Sequence, residues 1–120
     1  MKLKTGKMAP YELKAMTVKQ LGDTIKAMSE PEYLWGVSKL SPEKQRENAW
    51  QNQQLQMANL QMRNAQLSDI RDKLIANETD LSDGILRVQK VVEDLTKTEE
   101  VMSQVKNFLD IVGRIVPLLA

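Results

Sequence analysis

The recurrence Leu60, Leu67, Leu74, Leu81, Val88, Leu95, Met102, Leu109, Val116 places an apolar residue at every seventh position, nine times in succession. A spacing of 3.5 residues per turn, sustained this long, is the pattern of an α-helix that buries one seam against another helix. With these residues as heptad position a, position d holds Arg63, Ile70, Asn77, Gly84, Val91, Thr98, Val105 and Val112. The alternative register pairs the leucines with Asn64, Arg71, Glu78 and Glu99, which is worse.

Upstream of the stripe, Ser41-Pro42-Glu43 combines an N-cap residue, proline at the first helical position and an acid in the first turn. No proline follows until Pro117. The pattern therefore predicts an all-α chain in which one long coiled-coil helix occupies residues 41–120 and belongs to an oligomeric bundle. Continuous from Pro42 to Val116, it would be roughly 110 Å long. Asn77-Glu78-Thr79-Asp80-Leu81-Ser82-Asp83-Gly84 is rich in poor helix formers and supplies the alternative, an antiparallel hairpin turning near residues 77–84. Because the seven-residue phase passes through this stretch without a slip, the continuous helix is preferred.

The remainder of the chain reads as a small helical head at residues 10–40, preceded by a basic arm at residues 1–9 carrying Lys2, Lys4 and Lys7. Thr17-Val18-Lys19-Gln20 fits a capping box, with Met16 and Leu21 as its hydrophobic staple, so a helix is expected to start at Thr17 and to stop before Pro31. Tyr33 to Leu40 reads as an apolar linker.

A seam of this kind implies its own partner, since an isolated helix would leave it in water. The predicted association residues are Leu60, Leu67, Ile70, Leu74, Leu81, Val88, Val91, Leu95, Met102, Val105, Leu109, Val112 and Val116. Leu at a with Ile or Val at d favours trimers or higher bundles of identical chains. Gln53, Gln56, Arg63 and Asn77 form a polar stretch of the seam that would set register or loosen one end. The segment 105–120 is amphipathic, and Phe108, Ile111, Ile115, Leu118 and Leu119 make a second apolar face. That face is expected to continue the bundle core; the alternative is a peripheral membrane protein whose C-terminal helix lies in a membrane interface. The apolar run is shorter than the ~20 residues a bilayer span needs.

Composition narrows the function classes. The sequence has no Cys and no His, which removes thiolate chemistry, the usual general base near neutral pH and the usual zinc ligands. No phosphate-binding loop, dinucleotide fingerprint or nucleophile elbow is present, and Asn77-Glu78-Thr79 is read as a chance glycosylation sequon. Acidic neighbours such as Asp69 and Asp72, Glu93 and Asp94, and Glu99 and Glu100 read as solvated helix faces rather than metal ligands. Seventeen basic residues against sixteen acidic give a net charge of +1, which gives no reason to expect nucleic acid. With no enzyme chemistry, cofactor or metal expected, the reading is a structural or adaptor protein that self-associates and contacts a second protein through its head. The absence of an apolar stretch behind the basic start predicts no signal peptide, hence a cytoplasmic or other intracellular assembly.

Overall fold

In the computed structural model, which describes residues 8–118, every regular element is helical, and helices account for 79% of that span. Six helices follow one another: α1 Pro10–Ala27, α2 Pro31–Ser38, α3 Pro42–Asn64, α4 Leu67–Ala76, α5 Glu78–Val91 and α6 Thr98–Val112. The all-α expectation holds. The single long helix does not, because the chain folds back into a body whose greatest extent is 42 Å.

Three interruptions divide the expected rod. Ala65 and Gln66 leave the helical region with ψ of 136° and 138°. Asn77 sits at φ −111°, ψ 16° between α4 and α5. A longer turn at residues 92–97 reverses the chain into α6. At this turn the Asp94 carboxylate accepts from the backbone N–H of Thr96 at 3.1 Å and from its hydroxyl, which supplies a local alternative to helix continuation. The hairpin alternative is also corrected, since residues 78–84 are helical and Gly84 lies inside α5.

The heptad residues are buried, but by other helices of the same chain. Leu81, Ile85 and Val88 of α5 face Val101, Val105, Phe108 and Val112 of α6 in one continuous apolar core, each at most 1% exposed. Gly84 makes that approach close: a Cβ there would lie 3.2 Å from Cδ1 of Ile111 and 3.4 Å from Cδ1 of Phe108. Spacings of three, four and seven within short helices generate such stripes as readily as a rod does. That explains the recurrence, except where it crosses the breaks.

α1 packs against α3, α4 and α5. It begins at Pro10, not at Thr17: proline stands at the first helical position and the Glu12 carboxylate accepts from the Ala9 N–H at 3.0 Å. Thr17 is consequently in the helix interior, buried, with its hydroxyl donating to the Leu13 carbonyl at 2.6 Å. Thr24 does the same to Gln20 at 2.7 Å, so α1 satisfies its buried hydroxyls internally. The expected start at Ser41 is observed, with the Lys44 N–H donating to the Ser41 hydroxyl at 3.2 Å. At the other end α6 stops at Gly113, and a turn held by the Ile111 and Val112 carbonyls replaces the helical segment expected up to residue 120. Pro117, which has no N–H to donate to the preceding turn, follows directly.

Candidate partner-binding surface

Tyr33 to Leu40, expected as a linker, contains α2, because Pro31 provides a helical first position after an extended Glu30 and Glu32 adds an acid in the first turn. Tyr33 is fully buried and its hydroxyl pairs with Asn48 of α3. Burial pushes the Tyr33 phenol far above its ordinary ionisation range. One turn further along α2, Gly36 lies against the first residue of α6: a Cβ on Gly36 would fall 1.9 Å from Oγ1 of Thr98. These two contacts fix α2 on α3 and α6.

The side chains next to those anchors point outward. Leu34 is 49% exposed and Trp35 66%, the largest exposure among the exposed large hydrophobic side chains. The Lys39 ammonium lies 4.5 Å from the Trp35 ring centroid, a cation–π contact that holds the indole on the surface. Beside it a groove of about 440 Å³ runs between α2 and the start of α6, with Gly36 and Leu40 on one side and Thr98, Glu99 and Glu100 on the other. Thr98 Oγ1 is buried there without a hydrogen-bond partner.

A smaller groove of about 170 Å³ lies between α3 and α6, walled by Trp50, Glu47, Lys106 and Asp110. At its base Gln51 donates to the Met102 carbonyl at 2.8 Å while its own carbonyl oxygen is buried and unpartnered. A third depression, between α5 and α6, mixes Asp80, Asp83 and Asp110 with Arg87 and Arg114; Arg114 pairs with Asp80 at 2.9 Å and Asp110 with Lys106 at 3.8 Å. Among the described residues no three acidic side chains come together as metal ligands.

Of the expected association residues, Ile70, Leu74, Leu81, Val88, Leu95, Met102, Val105, Leu109, Val112 and Val116 are buried in this single copy. Leu67 and Val91 are half-buried, and Leu60 is 45% exposed. Phe108, Ile111 and Ile115 are core residues, Leu118 is half-buried, and Leu119 lies outside the described residues. The polar seam is not assembled as one: Gln53, Gln56 and Arg63 are exposed on α3, and Asn77 stands at the α4–α5 joint. Two lysines of α1 are engaged within the fold: Lys14 caps α3 by donating to the Ala65 carbonyl at 2.9 Å, and Lys19 pairs with Asp23 at 2.8 Å. Lys2, Lys4 and Lys7 lie outside the described residues. Among the described residues no helix is long and apolar enough to cross a membrane.

Sequence reasoning missed the Leu34–Trp35 pair as a surface. The available signal was the concentration of aromatics in residues 33–35, within a chain that is only 4% aromatic. No protein-family model, no curated protein and no solved structure significantly matches this chain.

Proposed function

We propose that this chain is a non-enzymatic structural or adaptor protein, a component of a larger assembly, which engages a second protein through α2. The observation that carries this reading is the exposed Leu34–Trp35 pair on a short helix pinned by Tyr33 and Gly36. Tryptophan on a rigid support is the commonest kind of interface anchor, because it removes a large area from water at small conformational cost. The missing Cys and His fit a protein that binds rather than reacts.

Affinity capture from the source cell with the full chain, followed by titration of the purified partner, tests this reading. Trp35→Glu and Leu34→Glu are each expected to weaken that binding by roughly tenfold or more, about 1.4 kcal/mol, while leaving helicity unchanged. A purified partner that binds both variants as tightly as the parent chain overturns the assignment to α2.

Self-association is a second reading. It is favoured by the seven-residue stripe itself and by Leu60, the stripe residue left 45% exposed. Sedimentation equilibrium up to hundreds of micromolar tests it; a strictly monomeric chain removes it.

A further inference from the structure

The break at residues 65–66 has little basis in local propensity, whereas the one at residue 77 opens the stretch of poor helix formers from Asn77 to Gly84. From Glu43 to Asp83 the sequence contains neither proline nor glycine, and Gly84 is already helical. Ala65 and Gln66 are good helix formers, so an isolated helix would run straight through them. Asn77 holds its own joint in part, its Nδ2 donating to the Lys73 carbonyl at 2.8 Å, and the other side chains at the two joints come from far away in sequence. Lys14 of α1 donates to the carbonyls of Ala65 at 2.9 Å and Arg63 at 3.4 Å. Arg114, beyond α6, donates to the Asn77 side-chain oxygen at 3.3 Å and to Asp80 at 2.9 Å.

The seven-residue recurrence crosses both joints in phase, from Leu60 to Leu67 over the first and from Leu74 to Leu81 over the second. Packing in the folded body does not require that, because α4 and α5 are separate helices whose buried faces are set independently. A single helix does require it, since one seam stays continuous only when the phase is kept.

We propose that Lys14 and Arg114 latch the folded body against a second conformation, in which α3, α4 and α5 fuse into one helix over residues 42–91 and present the Leu60–Val88 stripe to a second copy of this chain. The inference rests on the self-association reading. Only Ala65, Gln66 and Asn77 must change backbone region to make the fused helix. Its Leu67, Ile70, Leu74, Leu81 and Val88 would exchange burial inside one chain for burial between chains, which is why fusion and assembly go together.

The absence of cysteine allows a clean distance measurement. With spin labels at Glu43→Cys and Arg87→Cys, both exposed positions, a fused helix places the sites about 66 Å apart. The folded body extends 42 Å along its longest axis. Lys14→Met with Arg114→Met, in the full chain, is expected to populate the long distance, and the long-distance fraction should rise with protein concentration together with the sedimenting mass. Gln66→Pro is the counter-variant. Proline suits the observed φ of −76° at Gln66 and the extended Ala65 before it, and it forbids a helix through the joint. It should therefore keep the folded body and abolish both the long distance and assembly.

Oligomers that show only short distances overturn the fused helix and leave self-association standing, as does a Gln66→Pro chain that assembles like the parent. A long distance in a monomer overturns the coupling to a second copy. If the latch variant loses helicity, the parent chain compared with Gln66→Pro across concentration decides the matter, and a parent that stays monomeric overturns this inference and the self-association reading together.

Discussion

Gly36 and Thr98 occupy the same space to within an atom: a methyl group on Gly36 would sit 1.9 Å from Oγ1 and 3.1 Å from Cβ of Thr98. Neither helix can yield cheaply, because the buried Tyr33 anchors α2 on α3 one turn before Gly36, and Thr98 opens α6. Gly36→Ala should destabilise the fold by about 1–3 kcal/mol, the usual cost of overpacking. Adding Thr98→Ala removes Oγ1 but not Cβ, so the double variant should recover part of the loss, never all. Chemical denaturation of the four chains reads the coupling; strictly additive losses would show that α2 does not rest on Thr98.

Thr98 tests a second feature of the same contact. Its hydroxyl is buried without a partner, and a buried unpaired hydroxyl costs roughly 1–3 kcal/mol. Thr98→Val keeps the shape and discards the unpaired oxygen. The expected result is a melting temperature equal to or above that of the parent chain, whereas a marked loss would mean that the hydroxyl is satisfied.

Phe108 is fully buried where α5 and α6 meet and lies against Gly84. Phe108→Ala should therefore cost about 3–5 kcal/mol. Tyr11, 64% exposed on α1, provides the comparison: Tyr11→Ala should change stability by less than about 1 kcal/mol. Equal losses at the two sites, measured by denaturant titration, would be incompatible with this core.

How much of this was legible in the sequence depends on which forces decide each feature. The start of α3 is local, set by Ser41, Pro42 and Glu43, and it was read correctly. The apolar stripe correctly identified Leu74, Leu81, Val105 and Leu109 as residues removed from water. In the folded body helices of the same chain cover them, and a seven-residue spacing has the same meaning for a helix facing its own chain and for one facing another. The joint at residues 65–66 could not be read at all: the side chain that meets it is Lys14, some fifty positions away, donating to carbonyls that any sequence would present. Trp35 was hidden for a related reason, since aromatic residues mark a core as often as an interface, and only Gly36 packing against Thr98 turns the neighbouring indole outward.

The turn between α5 and α6 carries the pH-dependent element. Hydrogen bonds from the Thr96 hydroxyl and backbone N–H, with a smaller contribution from the Lys97 charge, hold the Asp94 carboxyl below its ordinary value. A depressed folded pKa means that the contribution of Asp94 is present above the unfolded value of about 3.8 and disappears as the pH falls through the folded one. Asp94→Ala should thus be less stable than the parent at pH 7, and the difference should shrink as the pH falls below 3.8 and through the lower folded value. A stability difference that does not shrink as the folded protein is acidified would remove the carboxylate from the turn.

Leu109 and Arg63 separate a chain folded on itself from a permanent rod. In a rod both stand in the seam, so that Leu109→Asp disrupts it and Arg63→Leu strengthens it. In the folded body Leu109 is 3% exposed between α3 and α6, whereas Arg63 lies on the surface with its Nε donating to Asn59 at 2.8 Å. Leu109→Asp, alone or with Leu95→Asp, is expected to cost several kcal/mol, because the new carboxylate must lose its water or take up a proton on folding. Its folded pKa is raised above the unfolded value, so at neutral pH the unfolded chain is favoured, and the penalty should shrink as acid protonates the group in both states. Arg63→Leu should shift stability by no more than about 0.5 kcal/mol. The decisive measurement is the thermal melt of each variant over a hundredfold range of protein concentration. Unfolding within one chain gives a midpoint independent of concentration, whereas a rod that melts by dissociation gives one that rises with it. A concentration-dependent midpoint for the parent chain, lowered by Leu109→Asp and raised by Arg63→Leu, would establish the rod as the resting form and displace the folded body described here.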